Sequence, residues 1–204
     1  MKDKVYKILG YSLLTIGLLG ICSSFYIGYI GEKQNKEMIN SFQWDNVLET
    51  ETTVEIANED SGESKHENKN LFAHNVIAIV NVPKVDIRYP VVEGTTDDIL
   101  KKSLGHFEGT ALAGEVGNFC VAGHRNSSYA RYFNRLDEVN VGDEIIVETR
   151  TNKYTYIVNK TFKIHESETE VLDQTDEKKI TLITCTNGYK PKYRIVVQGI
   201  LKEE

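Results

Sequence analysis

The sequence predicts an all-β domain with short helices, a barrel or a sandwich, carried behind one transmembrane helix. Three observations predict it. An uncharged apolar run of 23 residues, ILGYSLLTIGLLGICSSFYIGYI, occupies positions 8–30. A polar, acidic stretch follows. From His74 onward the chain breaks into short runs rich in β-branched and aromatic residues, separated by turn-forming residues.

The apolar run comes first. A helix needs about 20 apolar residues to cross a hydrocarbon core of ~30 Å. Lys2, Lys4 and Lys7 precede the run against one acid, Asp3, so the positive-inside bias puts the N-terminus in the cytoplasm and the rest outside. A cleavable signal would have an apolar core of about 7–15 residues and a small-x-small cleavage site. This run is longer, and no Ala-x-Ala follows it. A lipoprotein signal ending at Cys22 would want a small residue where Ile21 stands. Residues 1–31 are therefore expected to be a cytoplasmic N-terminus and signal-anchor, and 32–73 an acidic extracellular linker. Asn58–Lys65 cannot bury enough apolar area to offset its ordering entropy. Within the linker, Met38, Ile39, Phe42, Trp44, Val47 and Leu48 can form one amphipathic segment against membrane or domain.

The domain, 74–204, reads as seven or eight strands. Candidates are 75–80, 85–92, 118–123, 144–150, 153–158 with 161–165, 179–185 and 193–200. Thr151-Asn152 is a plausible hairpin turn between two of them. Thr95 to Asp98 before Ile99, Leu100 and Leu104 looks like a capped helix start, and Ser127, Tyr129, Tyr132, Phe133 and Leu136 have helical spacing. Few βαβ units are present, which favours a barrel or sandwich. A net charge of -6 excludes a nucleic-acid partner, since phosphate binding needs a basic face.

Three cysteines are present, and Cys22 lies in the apolar run. That leaves Cys120 and Cys185; a bridge between them stays open at this stage. The segment 181–185, TLITC, is a strand that delivers Cys185 at its C-terminal end, and Arg194 opens the next strand nine positions on. An arginine beside a thiol favours the thiolate and can stabilise a developing oxyanion. His124 ends another strand, in VAGHRN, where Gly123 is expected to let the backbone turn sharply. A histidine at such an edge can act as acid and base near neutral pH. His66 falls in the linker, and His74, His106 and His165 have no comparable setting.

At these residues the chain resembles the sortases of Gram-positive bacteria. TLITC at 181–185 is similar to the family's TLxTC motif, Arg194 stands where its arginine follows, and GHR at 123–125 resembles its histidine motif. VPKVDI, PVVEGT, GHFEGT and LDEVNVGDE extend the likeness over about residues 76–201, in order. The resemblance implies an eight-stranded β-barrel and a cysteine transpeptidase. Cys185 would be the nucleophile, His124 the acid/base, Arg194 the holder of substrate and oxyanion, and Thr184 a substrate-binding residue that shapes the site. It also implies partners: surface proteins with an LPxTG-like C-terminal sorting signal, and an amine of a peptidoglycan precursor as acceptor.

No cofactor is expected. Some class A members use calcium, but Glu115, Glu168 and Glu170 do not make a site by sequence. No second apolar run precedes Glu204, and no Asp-Pro-aromatic lid stands near Trp44-Asp45, so the pilin-polymerising class is disfavoured. The short stretch 166–178 leaves no room for a long helical insertion. A class A-like or class D-like member is expected. Two rivals stay open: a peptidase that transfers the acyl group to water, and a membrane-tethered zinc or binding module using Cys120, His124 and Cys185.

Overall fold

The computed structural model describes residues 2–48, 76–125, 132–188 and 191–203. Eight strands close into a barrel in the order β1-β2-β3-β4-β7-β8-β6-β5. They are β1 (Val76–Val82), β2 (Ile87–Glu93), β3 (Leu104–His106), β4 (Gly117–Ala122), β5 (Glu144–Glu148), β6 (Lys153–His165), β7 (Lys178–Cys185) and β8 (Tyr193–Leu201). A helical turn α2 (Asp97–Leu100) lies between β2 and β3. β2 with β3 and β4 with β7 pair parallel; the other neighbours are antiparallel.

Alternation along each strand sends one set of side chains inward. Ala78, Val80 and Val82 of β1, Phe119 and Val121 of β4, Ile180 and Leu182 of β7, and Ile195 and Val197 of β8 meet in the interior. Tyr132, Phe133 and Leu136 join them. The helix expected from Ser127 lies partly outside the described residues; its described part is turns and a 3-10 turn at Leu136–Glu138.

One element differs from the sequence reading, and one that it left open is settled. Leu104 belongs to the three-residue strand β3, not to a helix with Ile99 and Leu100. The runs 153–158 and 161–165 are one strand, continuous through a register shift between Val158 and Lys160. That bulge inverts the alternation. Tyr156 and Val158 point into the core, whereas Phe162 and Ile164 pack in a separate cluster on the outer face.

The N-terminal helix α1 runs from Lys2 to Leu48 without a break at Gly31, so the amphipathic segment expected within the linker is its continuation and takes in 32–36, where the sequence shows no strong helical periodicity; the rest of the expected linker, 49–73, lies outside the described residues. Its apolar segment is exposed from Leu9 to Tyr29, and Leu9–Phe42 is long and apolar enough to be a candidate membrane span. The hydroxyls of Ser12 and Thr15 donate to the carbonyls of Leu9 and Ser12 at 2.8 Å each, satisfying polar groups within the helix itself, as lipid requires. Beyond it the helix turns amphipathic. Met38, Ile39 and Phe42 bury against Val76, Ile79 and Val92 on the outside of β1 and β2. Burying such side chains contributes roughly 1.5–3 kcal/mol each. The Arg150 guanidinium lies over the Phe42 ring, 5.4 Å from its centre. Lys33–Glu37 and Lys36–Glu32 pairs line the solvent side.

Gly105 marks the tightest approach of a glycine to backbone. A Cβ there would sit 2.4 Å from the Gly94 carbonyl oxygen, which is backbone and cannot swing aside. Gly105→Ala is expected to cost at least the ~1–3 kcal/mol typical of overpacking. A thermal unfolding midpoint unchanged from wild type would contradict this packing.

Candidate active site

β4, β7 and β8 lie side by side, and their registers stack outward-facing residues in rows. Cys120 of β4 pairs with Thr181 of β7, which pairs with Gln198 of β8. Two residues further along, Ala122 pairs with Ile183 and Ile183 with Val196. One more step gives Cys185 opposite Arg194. β4 has formally ended there, but the Gly123 amide still donates to the Ile183 carbonyl at 3.1 Å. The same offset continued brings His124 level with Cys185. His124, Cys185 and Arg194 thus form the third row, on three neighbouring strand ends at one rim.

These rows lie outside the barrel, beneath the β6–β7 connection. The first is polar and fully buried. One step before it on β4, Asn118 donates to the carbonyls of Val171 (2.9 Å) and Asp173 (3.2 Å), and accepts from the Thr181 hydroxyl at 2.7 Å. Gln174 accepts from the Asn118 amide at 2.9 Å and donates to the Asn118 carbonyl at 3.3 Å. The second row is apolar: Ile183 and Val196 pack with Phe107, Phe162, Val171 and Leu172. Together they hold the connection over the sheet. It carries only a 3-10 turn, Glu170–Leu172, and no long insertion.

The third row is partly exposed, as chemistry on an external substrate requires. Cys185 is a free, half-buried thiol, and His124 is likewise half-buried. The His124 carbonyl accepts from the Phe133 amide at 3.0 Å, which ties the loop edge to a core residue. Arg194 is held on two sides. Nη1 donates to the Pro191 carbonyl at 2.7 Å, and Nη2 to Glu166 Oε2 at 2.8 Å. Such a row can combine a nucleophile, a proton carrier and a forked cation.

Several features depart from the sequence reading. Gly123 has no left-handed backbone; what it supplies is space, since a Cβ would meet Leu104 Cδ2 at 2.6 Å and Phe133 Cδ2 at 2.7 Å. Thr184, expected among the substrate-binding residues, is only 2% exposed, and its hydroxyl donates to the Gly123 carbonyl at 2.8 Å. It cross-links the strand ends that carry Cys185 and His124. Arg125 bridges Asn187 (2.6 Å) and Asp137 (2.8 Å), joining the loop after His124 to the loop after Cys185. Glu166, Asn118 and Gln174 carried no motif signal, because the partners that give them their roles are 28 to 63 residues away, and Arg125 was named only as part of GHR, with no hint of its partners 12 and 62 residues away.

Cys120 stands apart. It is fully buried, four strand positions below the level of Cys185, or roughly 13 Å at strand rise. A disulfide spans far less between Cα atoms, and both thiols are free. Among the described residues no group of three or more His, Cys, Asp or Glu side chains is arranged to hold a metal. Glu115 and Glu168 accept from the backbone amides of Leu112 and His165. His106 is buried and bonded to Glu93 and Thr110, at 2.8 Å each. His165 bonds to Ser167 at 2.8 Å.

A family model described as a sortase domain matches residues 80–202. Sortase A of Bacillus anthracis is 28% identical over 202 residues, 98% of this chain and 96% of that protein. Among solved structures, a Clostridium perfringens sortase D5 transpeptidase is similar with a TM-score of 0.62 and 34% identity, over 86% of this chain and 99% of that one. Sortase A of Listeria monocytogenes is similar with a TM-score of 0.58 and 32% identity, over 63% of this chain and 88% of that one.

Burial pushes the Cys120 thiol up to about 12, so it stays protonated and unreactive across the neutral range. At about pH 8, where only thiolates react, iodoacetamide should therefore modify Cys185 in the folded protein and spare Cys120 until denaturant is added. Peptide mass mapping reads this out; equal labelling of both cysteines in the native protein would contradict the assignment.

Proposed function

The chain belongs to the sortase family, and from that premise we propose that it is a membrane-anchored cysteine transpeptidase acting on surface proteins with an LPxTG-like sorting signal. The observation that carries the reading is the row of His124, Cys185 and Arg194 on three adjacent strand ends. Sortases in general are transpeptidases, and each group in the row suits one step of that chemistry.

In the proposed reaction the Cys185 sulfur attacks the carbonyl carbon of the threonine in the signal. The C–N bond to the following residue breaks, and His124 gives a proton to the departing amine. A thioacyl enzyme remains. An incoming amine, from a peptidoglycan precursor, then attacks the thioester; His124 takes its proton and the thiolate leaves. Splitting one hard acyl transfer into two easier steps is the gain of covalent catalysis. Arg194 donates to the oxyanion that forms in both steps, and Glu166 and the Pro191 carbonyl orient its fork. Thr184 and Arg125 act as positioning residues, through Gly123 and Asn187 respectively. The lysines before residue 8 and the exposed apolar run support a single-pass anchor with the barrel outside.

Cys185→Ala is expected to abolish cleavage, with Cys120→Ala retaining most of it. A domain starting at residue 74, incubated with LPxTG-like peptides and an amine, should yield the amide by mass spectrometry. Hydrolysis alone, with the amine never incorporated, would favour the peptidase reading.

Magnitudes separate the residues around Arg194. Removing an oxyanion donor costs ~10²–10³ in rate, and lysine cannot reproduce the forked geometry. Arg194→Lys should therefore lose activity on that scale. Glu166 shares with Arg194 a partly exposed pair, worth ~0–1 kcal/mol. Glu166→Gln should cost no more than about fivefold in kcat/KM, since 1 kcal/mol is about a factor of five. His124→Ala should be partly rescued by an activated thioester, whose leaving group needs no proton, whereas Arg194→Ala should not be. Single-turnover acylation followed by intact mass tests this; equal rescue of both variants would overturn the division of roles.

A further inference from the structure

The helix α1 packs directly on the barrel. The apolar run ends at Ile30, and the stripe that faces the barrel begins at the next residue: Gly31, Met38, Ile39 and Phe42 are buried, with Gln34 and Asn35 half-buried between them. That spacing is one continuous face of a helix. The stretch that would contact lipid passes directly into the stretch that contacts protein.

The direction of this stripe fixes which end of the barrel meets the bilayer. β2 runs parallel to β3, β3 antiparallel to β4, and β4 parallel to β7. β2 therefore starts at the rim where β4 and β7 finish, the rim of His124 and Cys185. Asn35, early in the stripe, donates to the carbonyl of Arg88, the second residue of β2. Phe42, seven residues later, packs with Val76 at the start of β1 and under Arg150 beyond the end of β5, both at the opposite end. The helix thus descends along the barrel from the catalytic rim to the far end. From Ile30 to Asn35 it rises only ~7.5 Å, little more than the depth of one headgroup layer.

We infer that the barrel stands with its catalytic rim toward the bilayer, docked on the headgroup surface by the helix that anchors it. The inference rests on the reading of α1 as a membrane anchor and goes beyond it, because an anchor on a loose tether would allow any orientation. A rim so oriented meets its substrates at the membrane surface rather than in free solution. The β1–β2 turn, with exposed Lys84, faces the headgroups, and exposed Val116 at the far end faces away.

The test uses the full chain in vesicles of phosphatidylcholine and phosphatidylglycerol carrying a nitroxide quencher on the headgroup. Cys22→Ser and Cys185→Ala remove the accessible thiols, and a fluorophore is attached at Lys84→Cys or Val116→Cys. Quenching several-fold stronger at position 84 than at 116 is the expected result. A second variant, Ile39→Asp with Phe42→Asp, detaches the stripe and should bring the two positions close to equality while the protein still co-sediments with vesicles. Stronger quenching at 116, or equal quenching before detachment, overturns the orientation and leaves the anchor intact. A chain that fails to co-sediment overturns the anchor reading and the orientation with it.

Discussion

The register of β4, β7 and β8 is the constraint on which the site depends. Side chains alternate along a strand, so a slip of one residue in either pairing would send Cys185 or Arg194 to the opposite face. The pairing resists slipping because both faces are specified. Ile180, Leu182, Ile195 and Val197 must enter the barrel, while Ile183 and Val196 must meet Phe162, Val171 and Leu172 outside. Two apolar clusters on opposite sides of one sheet leave a single register that buries both. The row of His124, Cys185 and Arg194 is what that register delivers at the rim, where apolar packing ends and solvent begins.

A partly external site needs a roof, and the roof is an irregular segment with backbone groups to satisfy. Buried carbonyls without partners cost ~1–3 kcal/mol each. Asn118 meets that cost by donating to two of them, and Gln174 returns bonds to the Asn118 backbone. The bulge in β6 serves the same end from the other side. By inverting the alternation after Val158 it turns Phe162 and Ile164 outward, so a strand that lines the core in its first half floors the external cluster in its second.

Much of this was legible in the sequence, and what was not shares a cause. Strands with their own apolar alternation, such as 144–150 and 179–185, declared themselves locally. So did Cys185 and Arg194, because the spacing of a strand, a loop and a strand makes them face each other. β3 did not: three residues carry no period, and Leu104 fits the helical pattern of Ile99 and Leu100 as well as a strand. Its pairing with β2 and β4 decides the matter, and that is a long-range fact. Gly123 was noticed for a turn it does not make, because the crowding by Leu104 and Phe133 that demands a glycine comes from elsewhere in the chain. Thr184 was noticed by motif, but its bond to Gly123 was not legible, since a hydroxyl turned toward Gly123 looks the same in sequence as one turned toward a substrate.

The helix α1 shows how one element can obey two solvents in succession. Up to Ile30 it is apolar all round, which suits lipid; from Gly31 the apolar positions contract to a stripe, which suits a protein face with water behind it. A change from the first pattern to the second normally allows a break between membrane and domain, and the polar residues after Ile30 invited that reading. Here Glu32, Lys33, Lys36 and Glu37 lie on the solvent side and pair along the helix, so their polarity lines the stripe rather than interrupting it. Each such surface pair contributes a few tenths of a kcal/mol, too little to hold the helix to the barrel. The buried trio of Met38, Ile39 and Phe42, at roughly 1.5–3 kcal/mol per side chain, is large enough to do so. Apolar packing on β1 and β2 therefore governs how the helix meets the barrel, and the charges on its other side keep it soluble beyond the apolar run that ends at Ile30.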